Sequence, residues 1–155
     1  MMENQSIVLE RLFNARSSKV WKAITDKDEM KSWYFDLVDF KAVVGFKFQF
    51  TGGPTPDRQY LHLCEITDAI HEKKLTYSWC YDGYSGKSYV TFELFENEDK
   101  TLLKLIHTGI ETFPEENTDF ARHNFEDGWN HIIHTALRGY LEAPNFETEL
   151  SWNDR

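Results

Sequence analysis

Basic side chains are scarce in this 155-residue chain, where 17 Lys and Arg stand against 26 Asp and Glu for a formal net charge of −9. Phosphate-backbone affinity comes from clustered cations, and none cluster here, so nucleic acid is excluded as an expected partner and an anionic membrane surface is disfavoured. Cysteine is nearly absent. Cys64 and Cys80 lie 16 apart with no CxxC, which signals neither a zinc site nor a disulfide framework. Only four prolines and eight glycines occur, and no Pro/Ser-rich linker, internal repeat or low-complexity run divides the chain. One domain over residues 1–155 is therefore expected, with a core at 6–142 and a tail at 143–155. No stretch approaches the roughly 20 apolar residues of a membrane span. The N-terminus MMENQSIVLERLF lacks a basic region followed by an apolar one, so the chain reads as cytoplasmic. HExxH, GxSxG, P-loop and GxGxxG motifs are all missing. What is abundant is aromatic surface. Twelve Phe, seven Tyr and five Trp fill a core, line a pocket, or do both.

Hydrophobic periodicity supplies an outline. Ser6–Phe13 reads as a strand and Ser17–Thr25 as a helix. Asp26, with Glu29 three residues on, then caps a second short helix ending near Trp33. Strands follow at Leu37–Val43, Phe46–Phe50, Tyr60–Thr67, Leu75–Tyr81, Ser88–Phe95 and Thr101–His107, with breakers at Gly52-Gly53-Pro54 with Pro56, His71–Lys73, Asp82–Gly86 and Asn97–Asp99. A long helix over Asn117–Glu142 closes the pattern before Pro144.

Alternation within the strands sets the faces. Leu75, Tyr77, Trp79 and Tyr81 share one face, as do Val90, Phe92 and Leu94, then Leu103, Leu105 and His107. A two-residue loop at Glu98-Asp99 sets Leu94 opposite Leu103, Phe92 opposite Leu105 and Val90 opposite His107. A loop over Asp82–Lys87 sets Trp79 opposite Val90 and Tyr77 opposite Phe92. Both hairpins put their apolar sets on one concave side, which Phe46, Phe48 and Phe50 join. For the hairpin around Glu72, pairs summing to 144 turn Glu65 inward opposite Trp79, with Cys64 facing Cys80 outside. A sum of 143 turns Cys64 inward instead. On the long helix Phe125, Trp129, Ile132, Ile133, Ala136 and Tyr140 form the sheet-facing stripe. Ala121, Gly128, Thr135 and Gly139 flank it as a line of small residues open to close backbone approach.

The order of VWKAITD, SWYF, GFKFQF, TYSWCY, SYVTFELFE, LLKLIHTGI and DGWNHIIHTALRGYLE resembles the SRPBCC (START/Bet v-like) superfamily. Within it, Ile7 to Glu142 is most similar to the AHSA family, the homologues of the activator of the heat-shock protein 90 ATPase. The resemblance implies an α+β helix-grip fold. A curved antiparallel sheet of six to seven strands would wrap a long C-terminal helix, with two short helices after the first strand and a cavity between sheet and helix. The family often has a Gly pair before the FxF strand, where this chain has Val44-Gly45.

Candidate residues follow from these faces. His131 and His134 have a zinc-capable spacing but fall opposite the core stripe, so no metal or other cofactor is expected. His107, pointing inward among leucines, reads either as a hydrogen-bonded core histidine or as a ligand or proton-transfer contact. The inward set Trp33, Phe48, Phe50, Glu65, Tyr77, Trp79, Tyr81, Phe92, His107, Phe125 and Trp129 is the candidate ligand-binding wall, with Trp33 and Tyr34 at its mouth, and it reads equally as ordinary core. The expected function is binding of a small hydrophobic, aromatic or lipid-like molecule. Two alternatives stand beside it: a protein-interaction role resembling a heat-shock protein 90 co-chaperone domain, and a cyclase- or aromatase-like enzyme using His107, Glu65 and Tyr81. Phe146, Leu150 and Trp152 in the tail are candidates to dock on the body or on a second copy.

Overall fold

The computed structural model describes residues 6–142, so the tail with Phe146, Leu150 and Trp152 lies outside the described residues. Six strands form one antiparallel sheet, β1 (Ile7–Phe13), β2 (Lys47–Thr55), β3 (Arg58–Ile70), β4 (Lys74–Tyr81), β5 (Ser88–Asn97) and β6 (Lys100–Thr108), in the spatial order β1-β6-β5-β4-β3-β2. The sheet curls into a half-barrel around a C-terminal helix of 21 residues, the helix-grip arrangement. Two short helices, α1 (Ser17–Thr25) and α2 (Lys27–Trp33), follow β1. Asp26 caps α2, accepting from the N–H groups of Asp28 (2.8 Å) and Glu29 (3.4 Å). The Trp33 indole donates to the Ala23 carbonyl at 2.9 Å and ties the two helices together.

The expected strand at Leu37–Val43 does not form. Leu37 and Phe40 are buried three residues apart while Val38 between them is 95% exposed, a spacing that a period of two cannot produce. The segment anchors two side chains instead of pairing. Nor does Gly52-Gly53-Pro54 end a strand, because β2 continues to Thr55 through a register shift between Gly52 and Thr55. Gly53 is required there, since a Cβ would fall 1.8 Å from the Arg58 carbonyl oxygen.

The β5–β6 pairs Leu94/Leu103, Phe92/Leu105 and Val90/His107 occur as expected. Glu98 and Asp99 both take positive φ, 51° and 71°, as a tight two-residue hairpin demands. The β4–β5 pairing is displaced by two residues, to Tyr77/Val90 and Leu75/Phe92. A shift of two preserves the faces. Its cause lies in the 82–87 connection, which leans on the turn after β6: Lys87 N–H donates to Thr112 Oγ1 at 2.9 Å, and Gly86 is pressed against the Thr112 carbonyl. In β3–β4 both registers coexist. Pairs sum to 144 near the turn (Ala69/Leu75) and to 143 beyond an irregularity between Ile66 and Asp68 (Cys64/Trp79).

The C-terminal helix begins at Arg122, five residues later than expected. Asn117 caps a short 3-10 turn, Thr118–Phe120, and Ala121 is extended (ψ 148°) before α3 (Arg122–His131). A π-helical stretch, Ile132–Leu137, joins α3 to α4 (Arg138–Glu142). Phe125, Trp129, Ile133, Leu137 and Leu141 are its buried residues, every fourth one.

Candidate functional site

Three zones succeed one another along the concave face. The deepest is closed core, where Trp33, Phe48, Tyr77 and Phe92 are buried, with Phe48 edge-on to Tyr77 at 5.1 Å between centroids. The Tyr77 hydroxyl meets that of Tyr34 at 2.6 Å. Burial raises both phenols, which stay protonated and satisfy one another.

The middle zone is a hydrogen-bonded chain centred on His107, whose exposure is 0%. Trp129 Nε1 can only donate, and it lies 2.9 Å from His107 Nδ1. Nδ1 therefore accepts, the proton sits on Nε2, and Nε2 donates to Ser88 Oγ at 2.8 Å. Ser88 Oγ passes its own proton to the Trp79 carbonyl at 3.2 Å. Burial lowers His107 to about 3, so the ring is neutral. Every polar atom of the imidazole is used in holding the helix to β4 and β5, which makes His107 a core histidine of the hydrogen-bonded kind.

The third zone is open. A cavity of about 280 Å³ lies between the β2–β4 end of the sheet and α3. Trp79, Tyr81, His62 and Tyr60 wall it from the sheet, Phe125, Gly128, Trp129 and Ile132 from the helix side, and Phe35, the Gly52–Pro54 stretch and Phe120 complete the rim. Gly128 contributes directly to the space, since a Cβ built there meets nothing within 4 Å. The line of small residues on the helix is thus no site of close backbone approach at Gly128 or Gly139. Phe120 stacks on Tyr81 at 4.5 Å. The 3-10 turn that carries it is clamped to β3: Arg58 makes two bonds to the Asp119 carboxylate (3.0 and 3.2 Å), and Tyr60 donates to it at 2.6 Å. Those bonds lower the Asp119 carboxyl.

Of the residues expected on the wall, Trp79, Tyr81, Phe125 and Trp129 line this cavity. Phe50 stands behind it, stacked on His62 at 4.4 Å and on Phe35 at 4.0 Å. Trp33, Phe48, Tyr77, Phe92 and His107 belong to the closed zones. Glu65 is on the other side of the sheet, because the 143 register brings Cys64 inward opposite Trp79 and sends Glu65 into a convex-face groove with Lys47, Gln49 and Cys80. Both thiols are free, and burial raises that of Cys64. Sequence reading missed His62, Tyr60, Phe35 and Phe120. For His62 a signal existed: in the 143 register, whatever turns Cys64 inward turns His62 inward too.

The polar equipment of the cavity is sparse. His62 is lowered to about 4 by burial, partly opposed by the Tyr60 and Phe50 carbonyls. Its Nδ1 lies 3.0 Å from the Tyr60 carbonyl, so Nδ1 carries the proton and Nε2 is left as an acceptor. Burial raises the Tyr81 phenol, which keeps its proton. Trp79 Nε1 is shut off from solvent, and the indole's interaction with the Tyr81 hydroxyl opposes part of the rise that burial gives that phenol. His131 is exposed, whereas His134 faces Arg11 at 3.1 Å, and no metal-binding group of three ligands occurs among the described residues. No helix among them is long and apolar enough to cross a membrane.

A curled antiparallel sheet gripping one long helix, with an aromatic cavity at one end, defines a helix-grip domain. The family model "Activator of Hsp90 ATPase homolog 1-like protein" matches residues 14–142, and the chain belongs to that family. It is 28% identical over 130 residues to the Hsp90 co-chaperone AHA1 of Saccharomyces cerevisiae, an alignment covering 79% of this chain and 34% of that protein, so the chain spans about a third of the yeast relative. Among solved structures, MLL2253 from Mesorhizobium loti is similar at TM-score 0.74 and 24% identity, covering 90% of this chain and 98% of that one. BH1534 from Bacillus halodurans is similar at TM-score 0.66 and 25% identity, covering 90% and 97%.

Proposed function

We propose that this domain binds a small, predominantly apolar molecule in the cavity between the β2–β4 end of the sheet and α3. The observation carrying this reading is the volume left open beside Gly128 in a wall rich in aromatic rings. A closed core would fill that space with side chains, whereas here apolar rings face an opening to solvent, and covering them with an apolar ligand is favourable. An apolar cavity of about 150 Å³ holds benzene, so 280 Å³ suits a molecule of about two rings. Trp79, Tyr81, Phe125 and Trp129 supply the contacts, while Phe50 and His107 brace them from behind.

Native mass spectrometry of freshly purified protein, compared with the same sample denatured, tests the reading. An added small mass lost on denaturation is the expected result. For the empty protein, a ligand at 100 times its dissociation constant adds about 2.7 kcal/mol of stability. A bare mass, together with no melting shift across a panel of two-ring compounds, overturns the proposal.

A co-chaperone-like role is supported by one observation of its own, the match to part of the yeast Hsp90 co-chaperone. Its test is the Hsp90 ATPase rate with and without this protein, and an unchanged rate disposes of it. The acid/base set His107, Glu65 and Tyr81 has no comparable support, since Glu65 is on the opposite face and His107 spends both nitrogens on protein partners.

A further inference from the structure

Odd-numbered residues of β1, β4 and β6 and even-numbered residues of β5 turn toward the core, which leaves their neighbours on the convex face. Three rows of side chains cross that face in register. Val8, Ile106, Thr91 and Thr76 form one, Glu10, Lys104, Glu93 and Lys74 the next, and Leu12, Leu102 and Phe95 the third. Val8, Leu12 and Phe95 are each more than half exposed, at 52%, 54% and 52%, while Ile106 and Leu102 between them are half-buried. Apolar side chains scattered singly over a surface need no explanation, but Val8, Ile106, Leu12, Leu102 and Phe95 share three adjacent strands and make a patch of the kind that meets another protein.

The charged row between the apolar ones says which protein that is. From Glu10 to Lys74 its signs alternate over four neighbouring strands, so the row carries no net charge in a chain whose formal charge is −9. An alternating row with an even number of members meets its own reverse as opposite charges. Rotation by 180° about an axis along the strands, midway between β5 and β6, sets Lys104 over Glu93 of the partner subunit and Glu10 over Lys74 of the partner subunit. The same rotation sets Leu102 over Phe95 of the partner subunit, apolar on apolar. An axis along the row would instead set each charge over its own copy, which repulsion opposes. Among the described residues Glu10, Lys104 and Glu93 enter no ion pair within the chain, and Lys74 is the one member engaged, with Asp68 at 3.4 Å. We propose that the convex face of β1, β6, β5 and β4 is a two-fold contact between two copies of this chain, with Lys104 of each copy against Glu93 of the partner subunit as its determinant. The outward curl of the sheet confines the contact to these strands, which lie about 4.8 Å apart. It therefore belongs with the small interfaces, below about 1,200 Å² in total, and the dimer is a weak one.

Sedimentation equilibrium of the full chain from micromolar to millimolar concentration tests this, and the native chain is expected to pass from monomer toward dimer over that range. Lys104→Glu and Glu93→Lys each bring like charges together twice in the symmetric contact, so each alone should weaken self-association by at least about tenfold. Mixed in equal amounts, the two variants should associate as the native chain does. The altered side chain at position 104 of one copy then meets the altered one at position 93 of the other, and the second contact keeps its native pair. Relief inside a single copy cannot produce that rescue, because positions 93 and 104 are also neighbours within the sheet and each variant keeps its like charges side by side there. Phe95→Ser, which removes the ring facing Leu102 of the partner subunit, should weaken the dimer too and stands in for a charge variant that fails to fold. A native chain that stays monomeric throughout overturns the inference. Self-association that both charge variants leave unchanged overturns it as well, since the contact then lies on another surface, such as one made by Phe146, Leu150 and Trp152. Association lost in both variants and not restored by mixing overturns the two-fold register.

Discussion

Acid should destabilise this protein well before its carboxylates titrate. His62 and His107 are buried neutral in the folded state, lowered to about 4 and about 3, whereas in an unfolded chain each titrates near 6.5. Below pH 6.5 the unfolded state therefore binds more protons than the folded one, and stability falls as pH falls, until the folded-state values are reached. At pH 5 each ring forfeits 1.5 pH units, about 2 kcal/mol, so the two together remove about 4 kcal/mol relative to pH 7.5. His134, lowered in the same direction, adds to the trend. Asp119 and Glu96 are lowered too, but their contribution is lost only below the ordinary carboxylate range. Against a total of about 5–15 kcal/mol for a domain, 4 is large. Urea unfolding at pH 7.5, 6 and 5 reads it as a falling midpoint at constant slope. His62→Gln should remove about half of the difference between pH 7.5 and 5, whatever it does to stability at neutral pH. A midpoint that does not move between pH 7.5 and 5 refutes the reasoning, because it would mean that both rings accept protons freely in the folded state.

Gly128→Ala should raise stability by about 1 kcal/mol, a helix-propensity gain with nothing in the way of the new methyl group, and Gly128→Leu should abolish binding of two-ring probes by occupying the cavity; thermal melts with and without probe check both. Ser88→Ala leaves the His107 Nε2 proton without an acceptor and should cost about 1–3 kcal/mol in denaturant unfolding. Thiol labelling of the native protein should modify Cys80 and spare Cys64, which is 5% exposed, so intact mass should show one label per chain before denaturation and two after.

How much of this was legible in the sequence depended on whether a feature was local. The Glu98-Asp99 hairpin, its three core pairs and the Asp26 cap follow from residues adjacent in the chain, and they occur as the pattern requires. The β4–β5 register slipped by two because the 82–87 connection is held by Thr112, some 25 residues away, and alternation cannot sense a shift that preserves faces. The face of Glu65, which alternation leaves open between two registers, is decided by a feature of the same kind. A bulge within β3, between Ile66 and Asp68, lets both candidate registers hold in different parts of one hairpin, so no single sum describes it. The aromatic wall was visible as a list, but which rings are core and which line space depends on depth along a curved sheet. That depth is set by partners such as Phe35 and Phe120, which lie in segments without periodicity.

The π-helical stretch links the cavity to the core behind it. Buried positions at 125, 129, 133, 137 and 141 advance four residues at a time, and in a regular α-helix each such step drifts by about 40°, carrying Leu141 well off the stripe that Phe125 begins. A π turn holds nearly one residue more than an α turn, so the stretch Ile132–Leu137 turns the drift back and keeps Ile133, Leu137 and Leu141 against the sheet. An unbroken α-helix would have to choose between seating Trp129 on His107 and seating Leu141 in the core. With the correction placed immediately after Trp129, α3 is free to be oriented by the His107–Ser88 chain, and α4 by its own packing. The open space beside Gly128 is therefore not slack left by a poorly fitted helix, since the residues on either side of it are held by hydrogen bonds and by buried side chains. It is a pocket whose walls the fold holds in place, with Trp129 bonded to His107 on one side and Tyr81 stacked on Phe120 on the other.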